Sequence, residues 1–487
     1  MKKATKIIGM CLKGILTTIY VLVALANYSV VQSLAGSFVS DKLSEEWGGT
    51  LKVGSMGINL LGRFTVHNVL LVTPQNDTIA NLGRVTARYS HPPIQSDGLH
   101  LNRVSIHNSY FHLQHTDKLT IVQFVDFMAR RFASKKDTTD TTSHPFVVYI
   151  DQVSARHVHY KQTLKATSNV RQAKIIGQYP IDIPNFDFID INFKCRNLRV
   201  DAARVTARME RFNAQEASGM NVRNLKANVY VAPDGICATD MELKTDSSQV
   251  FCDVLMRYDH FNSFSHFFDS VDFCVNIKEG TSCNLHDAAY WGHVIWGMNE
   301  QIAVSGSVFG PLGNFQVNNM TVRLADSTYL DFYGTMSGLP DINSTTITAN
   351  IRTLQTSYAD LSTVKWSKSI PVTLPPILKK LGKIDATVAF SGGLRNCQSA
   401  IVAQTTPGEV VADLSLHYDN AMRNYAYETQ LSSPDFTIKN IAQNEWVTHT
   451  GFSVNVKGSG FDLKTLHAEA NGSLTNSALR GVAVDET

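Results

Sequence analysis

The sequence lacks the short motifs that mark common catalytic and nucleotide-binding sites. It contains no GxSxG, HExxH or CxxC, and the Gly392-Gly393 pair belongs to no GxGxxG and precedes no phosphate-loop lysine, so we interpret it as a strand bend. An excess of one charge is also missing, because the formal net charge is only +2 over 487 residues. We therefore expect no enzyme, no cofactor and no dominant basic patch, which argues against nucleic acid as a partner.

The cysteines do not have the spacing of a compact disulfide framework. The chain has 7, of which Cys274 and Cys283 could pair in an oxidising compartment. Buried free thiols on strands are an equally good interpretation. The sequence leaves both alternatives open.

Long apolar runs are missing too, apart from one at the start of the chain. Residues 7–26 read IIGMCLKGILTTIYVLVALA and follow Lys2, Lys3 and Lys6. Twenty helical residues span about 30 Å, the thickness of a hydrocarbon core. Basic residues before the run favour a cytoplasmic N-terminus. The run predicts a membrane anchor, with these residues in its apolar centre: Ile15, Leu16, Ile19, Val21, Leu22 and Val23.

A cleaved signal peptide is the main alternative for this segment. Lys13 divides the apolar run, and Ala24-Leu25-Ala26 is typical of a cleavage site. Under either interpretation, the rest of the chain is exported across a membrane. We favour the uncleaved anchor over both the signal peptide and a buried helix of a soluble protein, because Lys13 can extend toward the interface. Helical spacing also continues through Leu34, Phe38, Leu43 and Trp47 until Gly48-Gly49 ends it.

After the glycines, the hydrophobic period changes from helical to alternating. The pattern predicts strands over most of the remaining chain, including residues 51–71, 79–89, 99–113, 146–160, 186–193, 222–231 and 249–258. The exceptions are an amphipathic helix at 120–132, a flexible polar linker at 134–144 and a short helix within 284–298. Strand–glycine–strand segments recur at 303–308, 387–394 and 454–463, which favours a stacked, elongated architecture.

The predicted fold class is mainly β: an N-terminal transmembrane helix, then an elongated antiparallel sheet with one apolar face and a few short helices. Too few helices are predicted to cover that face, so we expect the sheet to curl into a groove that acyl chains would fill. The predicted segments are an anchor (1–26), a membrane-proximal β region (27–133), the linker (134–144), a β-rich groove (145–300) and repeated groove segments (301–487).

Four bulky residues are the candidate lining of the groove: Phe186, Phe188, Ile191 and Phe193. The 186/188 and 191/193 spacings each keep one face of a strand. The step of three between them changes the face, so we expect a bulge between Phe188 and Ile191.

Two histidine pairs and one set of aspartates are candidates for metal or catalytic sites. His157 and His159 are two positions apart, a spacing that can bind zinc from one face of a strand, and His112 and His115 lie near a strand end. The carboxylates near the Phe186–Phe193 run are Asp182, Asp187 and Asp190. We interpret all of them as polar surface residues and predict no catalytic or metal site.

Three stretches resemble the AsmA-like/TamB family, especially TamB-like proteins of Bacteroidetes. The first is the predicted membrane segment at the start of the chain, followed by residues 34–89 (LAGSFVSDKL to GRVTARY). The other two are residues 334–364 with 374–394 (GTMSGLPDIN to LSTV, LPPILKKLGKIDATVAFSGGL) and residues 456–474 (VKGSGFDLKTLHAEANGSL). The resemblance implies an inner-membrane-anchored periplasmic groove that is tied to outer-membrane biogenesis. Family members are usually longer and end in a domain that meets the outer membrane, which this sequence lacks. The resemblance therefore predicts a fragment or a truncated product.

With the resemblance, the expected function is phospholipid transport between inner and outer membranes by a single-pass inner-membrane protein with its bulk in the periplasm. The expected partners are acyl chains, the inner membrane and an outer-membrane barrel of the BamA/TamA type. The main alternative is an assembly factor that offers strand edges to nascent outer-membrane proteins. A third hypothesis is an adhesin or structural filament.

Overall fold

A computed structural model describes most of the chain from residue 37 onward. The residues outside the description are 1–36, 39, 43, 46–47, 60–61, 90–97, 115–146, 164–180, 183–184, 202–203, 261–262, 264–265, 292–294, 325–326, 340, 342, 368–373, 420–423, 443–447, 461–466, 480–481 and 487. The predicted anchor with all its named residues, the predicted helix at 120–132 and the predicted linker lie outside the described residues. Within the described part, no helix is both long and apolar enough to cross a membrane.

The chain is mainly β with few short helices, as the alternation predicts. It divides into two compact units: unit 1 is Met1–Ala232 with Leu243–Asp246, and unit 2 is Pro233–Glu242 with Ser247–Thr487. The strands of unit 1 are β1 (Thr50–Ile58), β2 (Arg63–Val72), β3 (Thr78–Tyr89), β4 (Gly98–Gln114), β5 (Val147–Thr163), β6 (Asp187–Asp201), β7 (Arg204–Glu216), β8 (Asn221–Val222) and β9 (Asn224–Ala232).

One pair of strands in unit 1 departs from the predicted antiparallel sheet. Strands β1 to β4 pair antiparallel in sequence order, as do β5 to β7, with β8 and β9 on β7. β4 and β5, however, are parallel. Parallel neighbours need a connection of about a dozen residues or more, and residues 115–146 are long enough to provide it. The prediction was wrong here because alternation within a strand does not encode the direction of its neighbour.

Residues with a left-handed backbone conformation lie at matching positions on four strands of unit 1. Asn68, Asn108, His157 and Asp190, on β2, β4, β5 and β6, have φ angles of 54, 51, 54 and 53°. On β3, Gly83 lies opposite Asn108, where any side chain would collide with the Asn108 carbonyl oxygen. Such a residue adds one position to its strand and reverses the alternation. The shifts keep the apolar side chains on one face.

That apolar face carries the buried core of unit 1. It contains three clusters of buried residues: Leu51, Leu71, Ile79 and Ala80; Leu101, Ile150, Val153 and Cys195; and Ala155, Val158, Ile191 and Ala214. Half-buried neighbours such as Val69, Tyr89 and Phe212 pack against them. The core is therefore a layer of side chains that follows the sheet.

Helical residues between 37 and 45 precede β1 and contact it through serines. Ser40 Oγ accepts a hydrogen bond from the Val53 N–H at 2.7 Å, and Ser44 Oγ accepts one from the Leu51 N–H at 2.7 Å. These bonds satisfy edge groups of β1 that would otherwise be open to another strand. The helix ends at Gly48, whose φ of 76° and N–H bond to the Ser44 carbonyl confirm the predicted stop. Phe38 of the predicted apolar stripe is 70% exposed.

Unit 2 is built from antiparallel neighbours. β10 (Gly235–Lys244) spans the division between the units, and it is followed by β11 (Gln249–Arg257), β12 (Asp272–Ile277), β13 (Ser282–Asn284), β14 (Gln301–Pro311), β15 (Asn314–Leu324), β16 (Thr328–Ser337), β17 (Thr346–Ser357), β18 (Lys383–Gly393), β19 (Asn396–Thr405), β20 (Glu409–Asp419), β21 (Asn424–Phe436), β22 (Thr450–Ser459), β23 (His467–Leu479) and β24 (Val482–Glu486). From β14 to β24 each strand pairs antiparallel with the next.

The helices of unit 2 are short. They are α1 (Phe267–Ser270), α2 (Leu285–Ala289), α3 (Tyr358–Thr363), α4 (Ile377–Leu381) and α5 (Lys439–Ala442). The helix predicted within 284–298 is confirmed only as α2, which begins after Asn284, whose side chain accepts a bond from the His286 N–H at 2.9 Å. Gly392, with a φ of 136°, ends β18 where a side chain would collide with the Asn396 carbonyl oxygen. This agrees with the predicted bend.

Candidate functional site

The four candidate lining residues lie at the start of β6 in unit 1. Phe186 immediately precedes the strand, and its ring stacks on that of Phe188 with centroids 5.4 Å apart. Phe188 and Phe193 pack against the cluster that contains buried Ile191. Phe188, Ile191 and Phe193 therefore share the apolar face of unit 1. Their role as a lipid lining remains a prediction.

A bulge separates the two halves of this set. The pairing of β6 with β7 shifts between Ile189 and Asn192, and Asp190 has a φ of 53°. As a result Ile191 is 7% exposed on the apolar face, while Ile189 is 42% exposed. The local geometry agrees with the bulge that the spacing required.

The polar candidates near β6 form separate pairs. His157 Nδ1 lies 2.7 Å from Asp190 Oδ1, and His159 Nε2 lies 2.7 Å from Asp187 Oδ1. A zinc site shared by His157 and His159 depends on the regular alternation of side chains along a strand. The left-handed backbone at His157 interrupts that alternation.

The remaining candidates have partners of their own. His112 Nε2 lies 3.1 Å from Thr163 Oγ1, and Asp182 accepts a bond from the Asn185 amide at 3.1 Å. His115 lies outside the description. No group of three or more metal-ligating side chains is found in the part of the chain that the structure describes.

A longer apolar surface runs across unit 2. Its residues are not among the candidates predicted from the sequence. Directly paired residues of successive strands form one continuous row, which we call the apolar row: Val254, Val275, Val308, Val317, Gly334, Ala349, Phe390, Ser399, Leu414, Thr429, Val456 and Ala470. Paired residues share a face of an antiparallel sheet. The signal in the sequence was the alternation itself, but only the register joins the strands into one surface.

The side chains of the apolar row from Val254 to Val456 are half-buried. The buried apolar clusters described in the chain all lie in unit 1, and helices α3 and α4 of unit 2 bury none of their residues. An apolar sheet face usually packs against a second layer. The described residues of unit 2 leave this face partly open.

The opposite face of unit 2 is polar and exposed. Its row reads Gln316, Thr335, Thr348, Ser391, Gln398, Ser415, Glu428 and Lys457, all exposed. A concavity of about 510 Å³ opens on this face. Ten of its fourteen lining residues are polar, and Phe390, Ser399 and Leu414 of the apolar row also contribute to the lining. Lys457 Nζ lies 2.8 Å from Glu428 Oε1, and this hydrogen bond lowers the pKa of Glu428. The two faces therefore differ sharply in chemistry.

The six cysteines within the described residues are free thiols. Cys274 and Cys283 are thus unpaired, which selects the free-thiol alternative. Cys252 on β11 is 3% exposed, and burial raises the pKa of its thiol to about 11. Cys252 is therefore a packing group rather than a nucleophile.

Comparisons with known proteins bear on the resemblance drawn from the sequence. That resemblance rests on residues 34–89, 334–394 and 456–474, which belong to β1 to β3, β16 to β18 and the β22–β23 hairpin in the described residues. The chain matches no protein-family model, no curated protein and no solved structure.

Proposed function

We propose that the protein holds lipid acyl chains along an apolar groove and serves lipid transport between the membranes of the cell envelope. The observation that supports this proposal is the apolar row of unit 2, which continues over many strands while remaining half-buried. The protein would act as a non-enzymatic carrier or bridge.

Physical chemistry favours acyl chains as the occupant of this face. Burial of apolar surface stabilises by roughly 25 cal/mol per Å², or about 0.8 kcal/mol per methylene group. The apolar row contains valine, leucine, phenylalanine and small residues without charges, so it offers no partner for a charged ligand. A flexible hydrocarbon chain needs no polar partner and adapts to a row of unequal side chains.

The proposed location is the inner membrane, with a single span and the bulk of the chain in the periplasm. Its support is the sequence of residues 7–26 with the preceding lysines, together with the resemblance to AsmA-like/TamB proteins. An anchor of this kind would hold the groove next to its lipid source.

Photocrosslinking from two adjacent residues of β20 tests the proposal. Leu414 belongs to the apolar row and Ser415 to the polar face. A photoreactive residue at Leu414 should capture phospholipid in cells, and the same residue at Ser415 should not. Equal lipid capture at both positions, or at neither, contradicts lipid binding on this face.

The assembly-factor function is a second candidate, supported by strand edges. Within the described residues, β24 pairs only with β23. An open edge can accept another strand by hydrogen bonding through its backbone. Capture of a barrel protein or a nascent outer-membrane protein by a probe on β24, without lipid capture at Leu414, would favour this function.

A further inference from the structure

The polar face of unit 1 carries a basic concavity that the net charge of the chain conceals. Three rows of paired residues cross β2, β3 and β4 on this face: Arg63, Arg88 and Arg103; Thr65, Thr86 and Ser105; and His67, Arg84 and His107. They line a concavity of about 560 Å³, which we call the arginine pocket. A row of hydroxyl groups thus lies between two rows of basic side chains.

The arginine pocket contains no carboxylate among its lining residues. Arg63, Arg84 and Arg88 make no ion pair with any described residue, and Arg103 donates only to the neutral Gln152 Oε1, at 3.1 Å. The arginine pocket is therefore a local basic surface, which the small net charge of the chain does not reveal. The net charge is a sum over the whole chain, whereas the register of β2, β3 and β4 places several basic side chains next to one another.

Several arginines elsewhere in the described part of the chain have acidic partners. Arg196 lies 2.6 Å from Glu210, Arg199 lies 3.1 Å from Asp201, and Arg223 is paired with Asp246. Like charges directly opposite each other in a sheet are destabilising. Arg63, Arg88 and Arg103 lie directly opposite one another without a carboxylate partner among the described residues, which is a local electrostatic cost that a bound anion would reduce.

The environment of His107 agrees with a positive field in the arginine pocket. Burial lowers the pKa of His107, and the guanidinium groups of Arg84 and Arg156 lower it further. The lowered pKa favours the neutral ring, which can donate one hydrogen bond and accept another.

We propose that the arginine pocket binds a ligand that carries two or more phosphate groups. Guanidinium groups form paired hydrogen bonds with phosphate oxygens, and hydroxyl groups donate to the same oxygens. The row of Arg88 and the row of Arg84 are four positions apart along β3, roughly 13 Å. Separate phosphates are therefore needed to reach both rows.

Two sources can supply this chemistry: a soluble polyphosphate or the headgroup of an anionic phospholipid. The arginine pocket lies on the face of unit 1 opposite its apolar clusters, so the inference does not depend on acyl-chain binding in unit 2. Its failure would leave the proposed function untouched.

The test compares the full chain with two double variants. R84A/R103A removes one arginine from each basic row, whereas R199A/R223A removes two exposed, ion-paired arginines of unit 1 outside the pocket. Tripolyphosphate binding is measured by calorimetry. Flotation is measured with phosphatidylcholine vesicles with and without cardiolipin, a lipid whose headgroup carries two phosphates. Thermal melting confirms that each variant is folded.

The wild-type chain and R199A/R223A should bind at least one of the two probes, and R84A/R103A should bind it about a hundredfold more weakly, or about tenfold for each arginine. Binding of tripolyphosphate identifies a soluble source. A pocket-dependent gain on cardiolipin vesicles, without tripolyphosphate binding, identifies a lipid headgroup. Equal affinities of both variants for a probe, or no binding of either probe by the wild-type chain, overturns the proposal.

Discussion

The carboxylate of Glu216 accepts a hydrogen bond from the Ser218 N–H at 2.6 Å while the glutamate is 0% exposed. A second bond comes from the Asp187 N–H at 3.2 Å. No ion pair to Glu216 is found among the described residues, so backbone groups alone compensate this carboxylate. Glu216 also pairs with Phe188 in register. It therefore joins the end of β7 to the start of β6, where the candidate phenylalanines lie.

Replacement of Glu216 should destabilise unit 1 markedly. E216A leaves two buried N–H groups without their acceptor, and we expect a loss of about 3 kcal/mol. E216Q keeps one amide oxygen and should lose less. Urea unfolding measures both, with exposed Glu279 as the control position, where alanine should change little. Equal stability of E216A and wild type would show that the buried bonds contribute nothing.

The pH dependence of stability should include a contribution from Asp360 of α3. A hydrogen bond from the Ser327 side chain is the main cause that lowers the Asp360 pKa, and Thr328 Oγ1 also donates to it, at 3.2 Å. A carboxyl group with a lowered folded-state pKa stabilises above its unfolded pKa and loses that contribution as pH falls through the folded value. D360N should therefore melt below wild type at pH 7, and the gap should narrow below about pH 4. A gap that is independent of pH contradicts this account.

Cys252 should react slowly with alkylating reagents in the folded protein. Its raised pKa of about 11 leaves very little thiolate at pH 8, and the residue is 3% exposed. Mass spectrometry after iodoacetamide treatment should detect labelling of Cys252 in urea well before labelling in buffer. Recovery of a peptide that links Cys274 to Cys283 would contradict the free-thiol assignment.

A charge on the apolar row should reduce lipid binding without unfolding the chain. V456D places a carboxylate on the half-buried row, whereas N455D places one on the adjacent, exposed polar face. A charge among acyl chains costs several kcal/mol, while a half-buried site retains access to water. Lipid co-purified with V456D should fall about tenfold at unchanged circular dichroism. An equal loss of lipid in N455D would show that lipid binding does not distinguish the apolar face from the polar face.

Much of the local structure of the described chain follows from the sequence alone. Alternation placed both ends of β3 and β4 within one residue, although β5 continues three residues beyond its predicted end. Gly48 ends the helix because a positive φ suits glycine. The 186/188 and 191/193 spacings located the bulge at Asp190. These features depend on neighbours a few residues apart, so periodicity and steric preference are enough to predict them.

Tertiary structure alone decided which strands are neighbours. The parallel pairing of β4 with β5, the apolar row of unit 2 and the arginine pocket all join residues that are distant in sequence. Arg63, Arg88 and Arg103 show no common pattern along the chain, yet register places them directly opposite one another. Strand direction and register are set by the connections and by packing of the whole face, and neither is encoded in the period of a single strand.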